Sequence, residues 1–262
     1  MTGTLSLVGI GPGALEHLTV RATQVIRAAE VVVGYKSYLR LIEPLLVGKT
    51  VLGSGMRQEL ERCTEAYRWA RSGRTTVLIS SGDAGVYGMA GPAYELLLAA
   101  GWRPGGEVAV AVIPGVSALN ACAALVGAPL THDFCAISLS DLLTPWPVIQ
   151  ARLEAAARAD FVTALYNPKS SKRTTQILDA QRIFLAHRLP ATPVAVVTAA
   201  FRNDARALLT DLARMTEQEI DMETTVLIGN ASTFVQAGVM VTPRGYGHKY
   251  DLPAAASRTE MP

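Results

Sequence analysis

The chain has 262 residues, of which 50% are hydrophobic and 18% charged, and its formal net charge is +2 at pH 7. So large an apolar fraction excludes an intrinsically disordered chain and suits a well-buried α/β protein, and the length is compatible with two domains. A net charge this close to zero, without a run of Lys or Arg, gives no reason to expect nucleic-acid binding.

Strands and helices alternate along the first half of the chain. Apolar, β-branched runs predict strands at residues 5–10, 31–33, 75–80 and 108–113. Apolar residues at helical spacing predict helices between them, at residues 19–29, 58–71 and 92–100. Repeated βα units at this spacing predict a largely parallel sheet covered by helices on both faces.

The second half is less regular. A helix at 118–126 leads to Pro129, a plausible link to a second unit. Further strands are predicted at 134–137, 161–166, 194–198 and 225–228, with helices at 148–159 and 174–187. Residues 204–215 are compatible with either strand or helix, so the second sheet is expected to be mixed, and the tail after residue 252 is expected to be disordered.

The cysteines and the apolar segments bear on location. Cys63, Cys122 and Cys135 lack metal or redox spacing and lie in apolar patterns, which predicts buried free thiols. Because no apolar stretch approaches 18 residues and no basic-then-apolar leader is seen, we expect neither a membrane span nor secretion. The cytoplasm is then the default location.

Three loops rich in small residues follow predicted strands. The longest, Ser-Ser-Gly-Asp-Ala-Gly-Val-Tyr-Gly-Met-Ala at residues 80–90, is joined by residues 9–14 and by Pro-Gly-Val-Ser-Ala at residues 114–118. Open α/β sheets bind ligands at the carboxyl ends of their strands, where glycine lets the backbone approach a ligand closely. The three loops therefore predict a binding site for a small molecule.

Residues 9–14, Gly-Ile-Gly-Pro-Gly-Ala, also fit the Gly-x-Gly-x-x-Ala form of the dinucleotide fingerprint. That fingerprint needs an acidic residue after the second strand to bond the ribose, whereas Glu30 precedes the strand at 31–33. Pro12 also removes a backbone donor from the turn. A nicotinamide-dependent dehydrogenase is therefore a disfavoured alternative.

Other partial motifs predict no chemistry. Residues 48–50 end like a phosphate-binding loop, yet Glu43 occupies its first glycine position. Residues 115–119 begin like a nucleophile elbow but end in Leu119. The chain has four histidines, His17, His132, His187 and His248. Their spacing is not that of metal ligands, so no metal site is predicted.

Two cationic segments stand out. Residues 166–173, Tyr-Asn-Pro-Lys-Ser-Ser-Lys-Arg, form either a solvated loop or a cationic lip over an acidic ligand, with Thr174 as a possible N-cap. Residues 242–250 place aromatic rings among cations. They form either a frayed tail or a surface for a flat, carboxylate-bearing molecule.

Taken in order, these segments resemble the class III S-adenosylmethionine-dependent methyltransferases of tetrapyrrole synthesis. The residues that carry the resemblance are 8–13, 82–87, 114–118 and 228–229. Five further segments are similar to the precorrin-3B C17-methyltransferase branch: residues 33–38, 132–134, 138–146, 166–170 and 242–246. The resemblance spans nearly residues 3–252.

The resemblance implies two α/β domains, 1–118 and 119–252, followed by a disordered tail at 253–262, with the cofactor in a cleft between the domains. The cofactor contacts it implies are Gly82, Asp83, Ala84, Val86, Tyr87, Ser117, Ala118, Tyr166, Ala200 and Gly229. It also implies that the first glycine loop, at residues 9–14, faces the tetrapyrrole. The candidate substrate residues are Gly11, Pro12, Lys36, Lys169, Lys172, Arg173 and Arg244. One departure is Ala84, where the family often has proline. A homodimer is expected through the family alone.

The reaction of that branch methylates C17 of precorrin-3B and contracts the ring, giving precorrin-4 and leaving the extruded C20 in an acetyl group at C1. Transfer from a sulfonium requires positioning more than side-chain chemistry, so no catalytic residue is predicted for it. Ring contraction needs a base for the C20 hydroxyl, for which His132 or a substrate carboxylate is a candidate. The alternatives are a cobalt-bearing substrate, another ring position such as C11 or C20, and a non-catalytic tetrapyrrole-binding protein.

Overall fold

The computed structural model describes residues 3–250, apart from the side chain of His248. The predicted disordered tail at 253–262 lies outside the described residues. The chain divides into two compact units. The first comprises the chain up to Leu125 together with Val197–Ala207 and Glu223–Thr225, and the second comprises the remaining residues. Neither unit is therefore one continuous stretch of chain.

The first unit is built on a five-stranded sheet. Its strands are β1 (Gly3–Gly9), β2 (Val31–Tyr35), β3 (Thr50–Ser54), β4 (Thr75–Ser80) and β5 (Val108–Ile113). Its helices are α1 (Val20–Ala28), α2 (Lys36–Leu41), α3 (Glu59–Arg71), α4 (Ala90–Ala99) and α5 (Ala118–Val126). The order is β3-β2-β4-β1-β5 and every pairing is parallel, which confirms the predicted parallel first sheet.

Both faces of this sheet are buried. Leu5 and Leu7 of β1 belong to one apolar cluster, with Leu97 of α4, whereas Val8 belongs to another, with Ile26 of α1. Alternate strand residues point to opposite faces, so the two clusters cover the two sides of the sheet. The removal of this apolar surface from water is the main free-energy term that holds the helices to the sheet.

The chain connections locate a crevice in this sheet. From β1 the chain runs through α1 to β2 on one side of β4, and from β4 it runs through α4 to β5 on the other side of β1. Neighbouring strands whose connections leave in opposite directions open a crevice at their carboxyl ends, and ligands of open α/β sheets bind there. The carboxyl ends of β1 and β4 are thus the expected binding site.

Most of a mixed sheet of order β10-β9-β11-β8-β7 belongs to the second unit, and the ends of β9, β10 and β11 at residues 197–207 and 223–225 belong to the first. The strands and helices of this part of the chain are β6 (Gly127–Ala128), β7 (Phe134–Ser138), α6 (Trp146–Arg158), β8 (Val162–Tyr166), α7 (Gln176–Leu185), β9 (Pro193–Thr198), β10 (Arg206–Asp211), β11 (Thr224–Ile228), β12 (Phe234–Gln236) and β13 (Val239–Val241). The strands β12, β13 and β6 form a separate, short sheet of three strands. β7 is parallel to β8, and β11 is antiparallel to β8, which confirms the predicted mixed sheet. The predicted N-cap at Thr174 is wrong, because α7 begins only after Thr175.

The three thiols carry no charge at neutral pH. All are free, and burial raises the pKa of both Cys63 and Cys122 to about 11 and raises that of Cys135 as well. Because the thiolate is the reactive form, we expect the native protein at pH 8 to react with dithionitrobenzoate at least tenfold more slowly than the unfolded protein. A thiol of the native protein that reacts as fast as one in guanidinium would contradict this expectation.

Candidate functional site

The three predicted loops meet at one edge of the first sheet. β4, β1 and β5 are adjacent and parallel, so the residues that follow them lie side by side. The Ile10 amide donates to the Ser80 carbonyl and the Gly11 amide to the Gly82 carbonyl, each at 2.9 Å, and the Val116 amide donates to the Gly11 carbonyl at 3.3 Å. Backbone hydrogen bonds thus join all three loops.

This close approach explains two of the glycines. A Cβ at Gly11 would stand 2.0 Å from the Val116 carbonyl oxygen, and one at Gly115 would stand 2.3 Å from the Gly82 carbonyl oxygen. Any side chain at either position would push the loops apart. Gly82 differs, because the nearest atom to its Cβ position, the Ala118 amide nitrogen, lies 3.7 Å away. A Cβ at Gly82 would therefore make only ordinary van der Waals contacts, so the loops pack less tightly there than at Gly11 and Gly115.

Asp83 braces two of the loops. Its Oδ1 accepts from the Gly85 amide at 2.8 Å, and its Oδ2 accepts from the Gly115 amide at 3.1 Å. One bond closes the loop after β4 on itself and the other joins it to the loop after β5. Hydrogen bonds to an ionised carboxylate are stronger than neutral ones, so Asp83 fixes the shape of the crevice.

The rest of the loop after β4 exposes some side chains and buries others. Val86 and Tyr87 are exposed, and Tyr87 has a left-handed backbone with φ of 52°. Ala84 is fully buried, and its carbonyl accepts from the Ala90 amide at 2.9 Å. Ser80 Oγ accepts from the Met89 amide at 3.1 Å. These bonds hold the loop from within.

The loop after β5 leads into α5. The Asn120 amide donates to Ser117 Oγ at 3.4 Å, and the Ala121 amide donates to the Ser117 carbonyl at 3.0 Å. Ser117 thus starts the helix, as serine commonly does. The amide nitrogen of Ala118, the first residue of α5, lies 3.7 Å from the Cβ position of Gly82.

A later segment of the first unit contacts the loop after β1. The guanidinium of Arg202 donates from Nε to the Pro12 carbonyl at 3.4 Å and pairs with Glu223 at 2.9 Å. The rings of His17 and Phe201 lie 4.5 Å apart. These contacts place the segment that contains Ala200 against the first glycine loop. They join residues about 190 positions apart, so no local sequence pattern could have indicated them.

Two of the predicted substrate residues lie in that first loop. Gly11 and Pro12 are both buried. The amide and carbonyl of Gly11 are used within the loops, and the carbonyl of Pro12 accepts from Arg202. Their contact with a substrate stays a prediction.

Hydrogen bonds within the second unit fix the cationic segment at residues 166–173. The Asn167 side chain donates to Ser138 Oγ at 3.0 Å, which joins the loops after β7 and β8. Buried Arg173 donates from Nε and Nη2 to the Asn167 carbonyl at 3.1 and 2.9 Å. Burial lowers the pKa of Arg173, an effect that Asp141 opposes. Arg173 thus closes the loop, while Lys172 remains exposed and Lys169 partly exposed.

Two predicted residues lie at the edge of the second sheet opposite Tyr166. β11 is antiparallel to β8, with Ile228 opposite Thr163, so Gly229 lies at the edge of the sheet opposite Tyr166. The Gly229 amide donates to Pro193, and its carbonyl accepts from Arg188. His132 precedes β7, whose first residue pairs with the first residue of β8, so it also lies at the far edge, about 13 Å along the strands. Neither shares an edge with Tyr166.

The remaining candidates lie apart from these groups. Lys36 begins α2 and Arg244 follows β13, and both are exposed.

Glu30 accepts from the Thr75 amide at 2.8 Å and pairs with Arg74, which together hold its pKa below the usual value. It therefore ties the amino end of β4, far from the glycine loops, and does not act as the ribose ligand of a dinucleotide site. Among the residues that the structure describes, no three His, Cys, Asp or Glu side chains are placed to hold a metal ion.

The sequence and the fold also match known proteins. The family model for tetrapyrrole (corrin/porphyrin) methylases matches residues 4–216. The chain belongs to the tetrapyrrole methylase family. It is accordingly a methyltransferase. No helix within residues 3–250 has the length and apolarity that a membrane crossing needs.

Several curated tetrapyrrole methylases are similar to it. The chain is 51% identical over its whole length to the cobalt-factor III methyltransferase of Priestia megaterium, of which it spans about half (48%). It is 48% identical over 92% of its length to the probable cobalt-factor III C(17)-methyltransferase of Salmonella typhimurium, covering 99% of that protein. It is 41% identical over 94% of its length to the precorrin-3B C(17)-methyltransferase of Sinorhizobium sp, covering 98% of that protein.

Solved tetrapyrrole methylase structures share the fold. The crystal structure of the methyltransferase CobJ superposes with a TM-score of 0.86 at 37% identity, over 92% of this chain and 100% of that one. The uroporphyrin-III C-methyl transferase of Thermus thermophilus, complexed with S-adenyl homocysteine, gives 0.68 at 26% identity, over 87% and 97%. The predicted two-sheet α/β architecture of this family is therefore confirmed.

Proposed function

We propose that the chain methylates C17 of a precorrin-3B-type macrocycle with S-adenosylmethionine as the methyl donor and contracts the ring, as a step of cobalamin synthesis. The observation that supports this most is the 48% identity to a relative of matching length that is named a probable cobalt-factor III C(17)-methyltransferase. Because two of the three relatives above carry cobalt-factor III in their names, the cobalt-bearing macrocycle is proposed as the substrate. The cobalt is then part of the substrate.

The loops at the crevice of the first unit support the binding of S-adenosylmethionine. The backbone of residues 116–118 lies at van der Waals distance from the Cβ position of Gly82, and Val86 and Tyr87 of the same loop are exposed. We propose that this loop holds the cofactor, with Ser117, Ala118 and Ala200 as further contacts and Asp83 as the brace. Tyr166 and Gly229 of the second unit are proposed as contacts as well.

The cofactor supplies the reactive methyl group when it is bound. The chain then has to hold the acceptor carbon in line with that group, and rigid backbone is well suited to this task. The bonds from Asp83 to the Gly85 and Gly115 amides supply this rigidity at the cofactor loop. Exposed lysines are proposed to bind the acetate and propionate groups of the macrocycle, with Arg173 fixing the position of the loop that carries Lys169 and Lys172. Lys36 and Arg244 remain further candidates.

Calorimetric titration tests the cofactor assignment. We expect saturable binding of S-adenosylhomocysteine, the product form of the cofactor, and no binding of NADH. The loops after β1, β4 and β5 are joined to one another, and Glu30 is committed elsewhere, so the dinucleotide has no ribose partner. Binding of NADH alone, or of neither ligand by folded protein, would overturn the assignment of the Gly82 loop.

Turnover tests the substrate. The protein with S-adenosylmethionine is incubated with cobalt-factor III or with cobalt-free precorrin-3B, and the product is followed by mass spectrometry and by its absorption spectrum. We expect one methyl group to be added to the cobalt-bearing macrocycle. Faster methylation of precorrin-3B would reverse the preference for cobalt, and binding of both ligands without turnover would support the alternative of a non-catalytic tetrapyrrole-binding protein. A homodimer in the cytoplasm is proposed as well, and light scattering tests the dimer.

A further inference from the structure

Two loops of different character lie at the carboxyl ends of the parallel strands β7 and β8. The first has an apolar tip, Leu142 and Leu143, whose exposed fractions are 71% and 93%. The second, the lysine loop at residues 168–172, carries Lys169 and Lys172. Ser138 at the end of β7 pairs in register with Tyr166 at the end of β8, so both loops leave the same edge of the sheet.

Specific hydrogen bonds hold the two loops together. Asn167, which precedes the lysine loop, donates to Ser138 Oγ at 3.0 Å. The Gln176 side chain, at the start of α7 after the lysine loop, donates to Asp141 Oδ2 at 2.8 Å. Asp141 directly precedes the apolar tip. The tip is therefore tied to both ends of the lysine loop and keeps a defined position beside it.

The tip is also anchored in the core at both of its own ends. Leu139 is fully buried, and Trp146, the first residue of α6, packs against the main apolar cluster of the second unit. Two adjacent leucines on a loop held this firmly keep apolar surface in water, at a cost of about 25 cal/mol for each Å². That cost is recovered only when a ligand covers them.

We propose that Leu142 and Leu143 cover the apolar face of the tetrapyrrole macrocycle while the lysine loop pairs with its carboxylates. The inference rests on the proposed function, because it names the side chains that recognise that substrate. A carboxylated macrocycle has flat apolar faces and an anionic rim, so it needs apolar and cationic groups side by side. The hydrogen bonds from Asn167 and Gln176 bring those two kinds of group to one edge.

The test is the double variant Leu142→Ser/Leu143→Ser, with Leu189→Ser as the matched control. Leu189 is 76% exposed and precedes β9, so a change there removes the same kind of exposed side chain, with about half the surface of the pair, elsewhere on the same unit. We expect the double variant to raise KM for the macrocycle about tenfold, and to leave both KM for S-adenosylmethionine and the unfolding temperature within error. Leu189→Ser is expected to leave all three unchanged.

The outcomes separate this inference from the proposed function. If the unaltered protein binds S-adenosylhomocysteine but does not methylate the macrocycle, the proposed function fails first. If the unaltered protein turns over and the double variant keeps its KM for the macrocycle, the role of the tip is overturned. A double variant with unchanged KM whose mass by light scattering is halved would instead assign the leucines to a contact between two copies of the chain.

Discussion

Asp83→Ala is expected to weaken the binding of S-adenosylhomocysteine about thirtyfold or more while the chain stays folded. The substitution removes two charge-assisted hydrogen bonds, to the Gly85 and Gly115 amides, and such bonds contribute about 1.5–3 kcal/mol each. Since about 1.4 kcal/mol corresponds to a factor of ten, loss of even part of this ordering reaches that magnitude. Calorimetric titration gives the affinity, and circular dichroism verifies the fold.

Two further variants make the Asp83 result specific. Asp83→Asn keeps one oxygen acceptor but not the charge, so its affinity is expected to lie between those of the unaltered protein and Asp83→Ala. Glu95→Ala removes an exposed carboxylate from α4, the helix that follows the same loop, and is expected to bind as the unaltered protein does. Equal affinity in Asp83→Ala and Glu95→Ala would show that the brace has no part in binding.

Gly11→Ala and Gly115→Ala are expected to destabilise the protein strongly and to abolish measurable cofactor binding. The added methyl groups would stand 2.0 and 2.3 Å from backbone oxygens, which cannot move aside as a flexible side chain can. Forcing the loops apart breaks the hydrogen bonds that join them, at a cost of about 2–4 kcal/mol. Thermal unfolding measures the stability and titration the affinity.

Gly91→Ala is the control for this pair. Gly91 lies in α4, and no atom comes within 4 Å of its Cβ position. Alanine is a better helix former than glycine by about 1 kcal/mol, so this variant is expected to unfold at the same or a higher temperature. If Gly11→Ala behaved as Gly91→Ala does, the close approach of the three loops would be refuted.

The sequence was sufficient for the parts of the fold that have strong periodic patterns. The predicted strands at 75–80 and 108–113 and the helix at 118–126 have the bounds seen in the structure. β3 was not predicted, because Thr50–Ser54 is a largely exposed edge strand without an apolar run. Residues 204–215 left strand and helix open, and pairing in a sheet, which is a tertiary effect, makes Arg206–Asp211 a strand.

The candidate site was likewise predictable from the sequence only in part. The three glycine loops were found from their sequences, since each follows an apolar run that predicts a strand. The hydrogen bond by which Asp83 joins two of these loops was not, because its partner, Gly115, is 32 residues away. Nor did the sequence reveal that β11 runs antiparallel to β8, which places Gly229 and Tyr166 at opposite edges of the second sheet.

The discontinuous first unit has a consequence for synthesis of the chain. A ribosome releases β1–β5 early. Arg202, whose guanidinium donates to the Pro12 carbonyl, and Glu223, with which Arg202 forms an ion pair, are made much later. Domains generally fold as units while the chain emerges from its amino end. The half of this protein that carries the glycine loops therefore completes its folding only after most of the other half has been made. For the same reason, a gene fragment that stops at residue 125 omits part of it, and transplanting that half into another protein would require a rearranged chain.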